Sequence, residues 1–260
     1  MSCIELNKGF TMKEALLNAE TAIESYSPNQ VFFCPEESHF YSQCLEKLVL
    51  KNCADDELVI EFGAGDGSPV INALLKTQFK GLIHGYELNP VACEVARSKI
   101  RQYQLSRKYV IHNTCFFKGL ESLPANYLIA NPPYLPAPDD NIYMPSLHGG
   151  IDGATITKKL LSVDCENVLL MISGYSNPKE TLEYAVSQGY KVVDFMVSPL
   201  QFGYYSSEPK VRRWITELRK RQQAFYSQNI YFLAGVLFKK QGSNATPDLT
   251  DELIKVMTVL

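Results

Sequence analysis

Paired cysteines, clustered histidines and long apolar runs are all missing from this sequence. Its seven cysteines (3, 34, 44, 53, 93, 115 and 165) are odd in number and never form a C-x-x-C pair. Scattered in this way they read as reduced, mostly buried thiols of a cytoplasmic protein. His39, His84, His112 and His148 show no ligand spacing, and no metal site is expected. No apolar run reaches the roughly 18 residues that begin to suggest a bilayer span, so no membrane partner is expected. The opening residues, Met1-Ser2-Cys3-Ile4-Glu5, lack the basic-then-apolar pattern of a secretion signal. Positive charge is not in surplus either. A formal net charge of −3 argues against indiscriminate coating of nucleic acid and leaves room only for a local basic patch. Internal repeats and low-complexity segments are absent.

What is present is an alternation of strand-like and helix-like segments. At 260 residues, 46% apolar and 20% charged, the chain suits one globular domain with additions, or at most two domains. Residues 10–25 have helical spacing, with Thr11 as N-cap, and a second helix is expected from Ser38 to about Asn52. Strands are expected at 58–62, 82–87, 109–112, 127–130, 168–172, 192–197 and 230–238. Helices open at Ser68-Pro69, Asn89-Pro90, Ala154 and Pro178, where proline suits a first helical turn. This order predicts a doubly wound, mostly parallel seven-stranded sheet, Rossmann-like, with an antiparallel pair at the end and an antiparallel last strand. Three divisions follow: an N-terminal helical segment (1–53), the sheet domain (54–241, with an insertion at 200–228) and a tail (242–260).

Chemistry concentrates where strands end. Asn131-Pro132-Pro133-Tyr134 follows the apolar run 127–130. Two prolines remove two ladder donors and fix φ, and the residue before them is pushed into an extended conformation. The turn is stiff, with an amide, exposed carbonyls and an aromatic ring at a strand's C-terminal edge, where open α/β sheets place ligands. A planar NH2 group can donate to the Asn131 side-chain oxygen and to the Pro132 carbonyl while Tyr134 stacks on its face. On its own the tetrapeptide is equally compatible with a plain Pro-Pro loop. Upstream, Glu61-Phe62-Gly63-Ala64-Gly65-Asp66-Gly67 lies between a strand and a helix. Its G-x-G-x-G spacing is not the full pyrophosphate cradle, and Glu61 would repel phosphate while attracting a cationic amino-acid group. Glu87 follows at the end of strand two, placed to accept both hydroxyls of a ribose. Taken singly, each piece is also compatible with a structural turn or a solvated acid. A nucleoside that carries an amino acid and no phosphate is S-adenosylmethionine (SAM).

Three stretches together resemble the motifs of class I SAM-dependent N-methyltransferases: Glu61 to Gly67, Gly85-Tyr86-Glu87-Leu88-Asn89-Pro90, and Asn131 to Tyr134. Within that group the chain is most similar to the HemK-type enzymes, which methylate a glutamine amide nitrogen of peptide release factors. Val31-Phe32-Phe33-Cys34-Pro35-Glu36-Glu37-Ser38 and Gly149-Gly150-Ile151-Asp152-Gly153 are similar to two further family segments. The resemblance covers about residues 31–198. It implies SAM as cofactor, with Glu61, Gly63, Ala64, Gly65, Glu87, Leu88, Thr114, Cys115 and Asn131 as cofactor-binding candidates. Asn131, Pro132 and Tyr134 are the catalytic candidates. The family's adenine-binding acid near strand three has no counterpart in Asn113-Thr114-Cys115-Phe116, and Asn126-Tyr127 stand where an acid usually precedes the proline turn.

The acceptor is more open. The leading expectation is a protein glutamine side chain on an exposed loop. A small-molecule amine or amide and the N6 of adenine in nucleic acid are the alternatives. The insertion at 200–228 mixes Phe202, Tyr204, Tyr205, Trp214, Phe225 and Tyr226 with cations at 210–221. It reads as a base-binding surface, as a grip on an acidic protein loop, or as an amphipathic helix packed on the sheet edge.

Overall fold

The computed structural model describes residues 31–54, 56–119, 125–242 and 247–260. The helix expected at residues 10–25 lies outside them. Eight strands form one sheet: β1 (Leu58–Phe62), β2 (Leu82–Tyr86), β3 (Tyr109–His112), β4 (Tyr127–Ala130), β5 (Asn167–Ser173), β6 (Tyr190–Gln201), β7 (Tyr226–Ser227) and β8 (Ile230–Lys240). The order is β3-β2-β1-β4-β5-β8-β6, with the two-residue β7 paired to β8. β1 to β5 are parallel, and β8 runs antiparallel to both of its neighbours, β5 and β6.

The last strand is therefore antiparallel as expected, but it is inserted inside the sheet and leaves β6 at the edge. β6 is also twice the expected length, with a bulge between Val192 and Asp194. Its far half, through Leu200 and Gln201, pairs with the start of β8, so the 200–228 segment is an elaborated hairpin connection. The chain reverses direction across the sheet between β1 and β4. That is the switch point at which the C-terminal edges of the strands part and leave a crevice.

Helices cover both faces. On one side lie α1 (Pro35–Cys44, running on through a π-helical segment, Leu45–Leu50), α2 (Ser68–Leu75) and α3 (Pro90–Gln102). The short α4 (Phe116–Gly119) follows β3, and α5 (Thr155–Leu161), α6 (Pro178–Ser187) and α8 (Thr250–Met257) cover the other face. α7 (Pro209–Lys220) belongs to the β6–β8 connection. α1 begins three residues before the expected Ser38, with Pro35 in its first turn, where a missing N–H costs nothing. β1 shows the two-faced logic: Val59 packs with the α1–α3 core, Ile60 with the α5–α6–α8 core, and both are buried.

α1 and its π-helical extension are held against the sheet by close packing on β8, one strand in from the edge. A Cβ on Gly235 would meet the Cys44 side chain, with Cβ–Cβ at 2.9 Å. Gly235→Ala is expected to destabilise the fold by about 1–3 kcal/mol through overpacking, read as a lower urea midpoint at unchanged slope.

Candidate functional site

The parted strand ends open into a cavity of about 770 Å3 lined from β1, β2, β3, β4, the start of α1 and the loop at 203–206. At its β1–β2 end the chain leaves Phe62 through Gly63, Gly65 and Gly67, all left-handed with φ of 68°, 56° and 73°. Only glycine takes that conformation repeatedly without strain. The Gly63 and Ala64 amides both donate to the Tyr86 carbonyl, at 2.9 and 3.1 Å, which stitches the loop to β2.

Glu87 is fixed from two sides. The Gly65 amide donates to its Oε2 at 2.9 Å and the Asn89 amide to its Oε1 at 2.7 Å. Each oxygen retains acceptor capacity for a ligand hydroxyl. The Asn113 side chain donates to the Glu87 and Leu88 carbonyls, at 2.9 and 3.1 Å, and so clamps the turn that presents both residues. Asn113 thus stiffens the turn where an acid would have met the ligand. Leu88, Thr114, Cys115, Phe116 and Phe117 line the adjoining wall, a mainly apolar slot.

Two expected cofactor residues sit elsewhere. Glu61 is 1% exposed and does not line the cavity. Its carboxyl group accepts from the Tyr109 hydroxyl and, at 3.5 Å, from the Tyr41 hydroxyl. Burial pushes its pKa up to about 8; the Tyr109 hydroxyl bond opposes the rise and the nearby Glu87 adds to it. Glu61 therefore carries its proton through neutral pH and ties strand ends to α1, instead of presenting a charge to a ligand. Ala64 is buried against the core and shapes the loop through its amide. Sequence spacing placed Glu61 beside the loop correctly; the two tyrosines that occupy it come from remote parts of the chain.

At the β4 end, Asn131, Pro132, Pro133 and Tyr134 all line the same cavity. The Asn131 side-chain oxygen is buried there with no hydrogen-bond partner among the described residues, and the Tyr134 hydroxyl stands against the Glu37 carboxyl group. A buried acceptor of this kind costs stability unless it is satisfied, and one that faces a cavity is placed to take a donor from what enters it. The turn is rigidly backed. Leu135 and His148 form a parallel bridge, the Gly149 amide donates to the Leu135 carbonyl at 2.9 Å, and Ser176 Oγ donates to the Tyr134 carbonyl at 2.7 Å. A Cβ on Gly149 would lie 2.6 Å from Tyr134 Cα, and one on Gly153 2.5 Å from the Tyr134 carbonyl oxygen. Asp152 holds the segment down through the Ala154 amide (3.0 Å) and the Asn177 side chain (2.9 Å). The Gly149–Gly153 stretch therefore acts as a clamp on the proline turn.

Sequence reasoning missed Glu37. Placed in the first turn of α1, it lines the cavity beside Asn131 and Tyr134, and the Tyr231 hydroxyl donates to its Oε1 at 3.1 Å. An acid after a helix-opening proline looks like ordinary dipole compensation, so no local signal distinguished it.

The insertion splits in two. Gly203, Tyr204, Tyr205 and Ser206 line the cavity, whereas α7 lies behind it. Val211, Ile215 and Leu218 of α7 are buried. Two cations of the insertion already have partners: Lys210 pairs with the exposed Asp139, and the Arg212 guanidinium lies 3.6 Å from the Phe202 ring centre. Trp214 Nε1 donates to the Ile151 carbonyl at 2.6 Å, tying α7 to the clamp. The amphipathic-helix reading describes α7; Arg213, Arg219, Lys220 and Arg221 are part- to fully exposed on its outer side.

No protein-family model matches the chain, and no curated protein matches it in sequence. Its structure does have counterparts. A putative RNA methyltransferase from Pyrococcus horikoshii superposes with a TM-score of 0.52 at 12% identity, over 81% of this chain and 87% of that one. A putative sarcosine dimethylglycine methyltransferase from Galdieria sulphuraria gives 0.52 at 10% identity, over 86% and 96%. The fold is the Rossmann-like methyltransferase fold.

Two outcomes check the site's architecture. Because Glu61 keeps its proton in the fold up to about pH 8 and loses it near pH 4.5 when unfolded, its contribution to stability is full at low pH. That contribution is lost as pH rises through this window. Glu61→Gln is expected to flatten thermal stability across the window; a profile unchanged from wild type would contradict the assignment. Gly149→Ala is expected to lower stability by about 1–3 kcal/mol and to disturb the Asn131 amide resonance, whereas an unperturbed resonance would show that the clamp does not hold the turn.

Proposed function

We propose that this protein is a SAM-dependent N-methyltransferase acting on a planar NH2 nitrogen, most simply a glutamine side-chain amide of a protein. One observation carries the cofactor: among the described residues, the cavity is lined by Glu36, Glu37 and Glu87 and by no Lys, Arg or His. A phosphate ligand would find no counter-charge there, whereas a sulfonium with an ammonium group suits it. Glu87 would accept from the ribose hydroxyls, the Gly63–Gly65 backbone leaves room for the amino-acid portion, and Leu88, Phe116 and Phe117 would cover the base. SAM supplies an electrophilic methyl group.

The acceptor half follows from Asn131. Its partnerless side-chain oxygen and the Pro132 carbonyl are the acceptors for two N–H groups of one planar NH2. Holding both hydrogens fixes the direction of the nitrogen lone pair, and the same dipoles stabilise the positive charge that grows on it. Tyr134 packs the acceptor and excludes water.

Two features favour a protein segment. Phe33, Tyr143 and Tyr204 are 47%, 48% and 65% exposed around the mouth, an apolar surface for a peptide loop. The acidic lining, the Lys210–Asp139 pair and the stacking of Arg212 on Phe202 oppose a phosphate backbone. The HemK-like acceptor rests on these features and on the sequence motifs.

Asn131→Ala is expected to reduce turnover by roughly a hundredfold or more while SAM affinity is retained. Glu87→Ala is expected to weaken SAM binding by about 1–3 kcal/mol in calorimetry. Methyl-labelled SAM with a fractionated lysate identifies the acceptor. Label in a protein band, mapped to glutamine, supports the reading. Nuclease-sensitive label would move it to adenine, and label only in the small-molecule fraction would move it to a free amine or amide.

A further inference from the structure

We propose that the carboxylate of Glu37 is a further catalytic group, facing the positive charge that develops on the methyl acceptor and receiving the proton that the acceptor nitrogen releases. This rests on the methyl-transfer reading above and adds a base to a site in which Asn131 and Pro132 only orient.

The geometry is specific to this corner of the cavity. α1 delivers Glu37 to the wall that also carries Asn131 and Tyr134. Around the carboxylate stand the Tyr231 and Tyr134 hydroxyls, the Cys34 thiol and the Asn131 amide; none is a cation. Among the described residues this cavity-lining carboxylate meets no counter-charge, and a cationic ligand would bring one. Asn131 Oδ1, buried with no partner among the described residues, belongs to the same side chain that meets Glu37 through its amide. An NH2 group held by Asn131 therefore arrives next to Glu37.

The neighbours leave Glu37 as the group that responds to pH. Burial raises the phenols of Tyr134, Tyr175 and Tyr231 well above their ordinary range and raises the Cys34 thiol as well. Burial also raises Glu37 above the ordinary carboxylate range, opposed by its hydroxyl, thiol and amide neighbours. Glu36, bonded to the Cys34 thiol at 3.8 Å, is exposed at the cavity's edge. A raised carboxyl pKa brings a base closer to neutral pH, where proton transfer is most effective.

The step balances with these groups. The nitrogen–carbon bond forms as the sulfonium carbon–sulfur bond breaks, the sulfur becomes a neutral thioether, and the nitrogen takes the charge. Glu37 accepts one N–H proton, leaving a neutral methylated nitrogen, and returns the proton to water through the cavity mouth.

Calorimetry with two probes tests this without knowledge of the acceptor. S-adenosylhomocysteine has no charge at the reacting position, while sinefungin carries a protonated amine there. Wild type is expected to prefer sinefungin by about tenfold or more at neutral pH, as a charge-assisted contact would give. The preference is expected to fade as Glu37 takes up a proton, at a pH above the ordinary carboxylate range. Glu37→Gln is expected to bind S-adenosylhomocysteine as wild type does, lose most of the preference and lose its pH dependence. Glu37→Asp is expected to keep part of both. An equal, pH-independent preference in wild type and Glu37→Gln would overturn the proposal. Failure of S-adenosylhomocysteine to bind wild type would instead overturn the methyl-transfer reading itself.

Discussion

Between Gly149–Gly153 and the turn after β4, two backbones touch without intervening side chains, and the geometry of the cavity depends on that contact. The prolines stiffen the turn from within, but they do not say where it points. Its direction comes from the Leu135–His148 bridge, the Ser176 bond to the Tyr134 carbonyl and the close approach that Gly149 and Gly153 permit. Asp152 secures the clamp to α5 and α6, and Trp214 secures it to α7. The insertion thus contributes to the site chiefly as a brace, with its 203–206 loop alone reaching the cavity.

Charge gives the cavity its character. Among the described residues three carboxylates and no cation line it, in a protein of nearly balanced composition. Glu87 is held by two backbone amides at the edge of an apolar slot. Glu61, only a short distance away, is treated oppositely: burial holds it protonated, against the opposing effect of the two tyrosine hydroxyls that donate to it. One acid faces the ligand and its neighbour joins the core.

Much of this was legible in the residues. The strands β1, β3 and β4 were bounded correctly because each is a short apolar run ended by glycine, a polar turn or proline. Gly63, Gly65, Glu87, Leu88, Thr114, Cys115, Asn131, Pro132 and Tyr134 all reach one cavity because each sits at or just past a strand end. Local pattern cannot show what crosses between distant segments. Tyr41 and Tyr109 claim Glu61 from α1 and β3, β8 slips between β5 and β6, and α1 carries Glu37 to Asn131. Each depends on pairing across long sequence separations, which no window of neighbouring residues records.

The central claim is that the strand-end cavity binds the methyl donor's adenosyl amino acid between Gly63–Gly65, Glu87 and Asn131. Backbone hydrogen exchange with and without S-adenosylhomocysteine tests it most directly. The account is met by slowed exchange confined to 63–67, 87–91, 113–117 and the 133–137 region after the proline turn. Absence of protection there, or protection confined to a different surface, would contradict it.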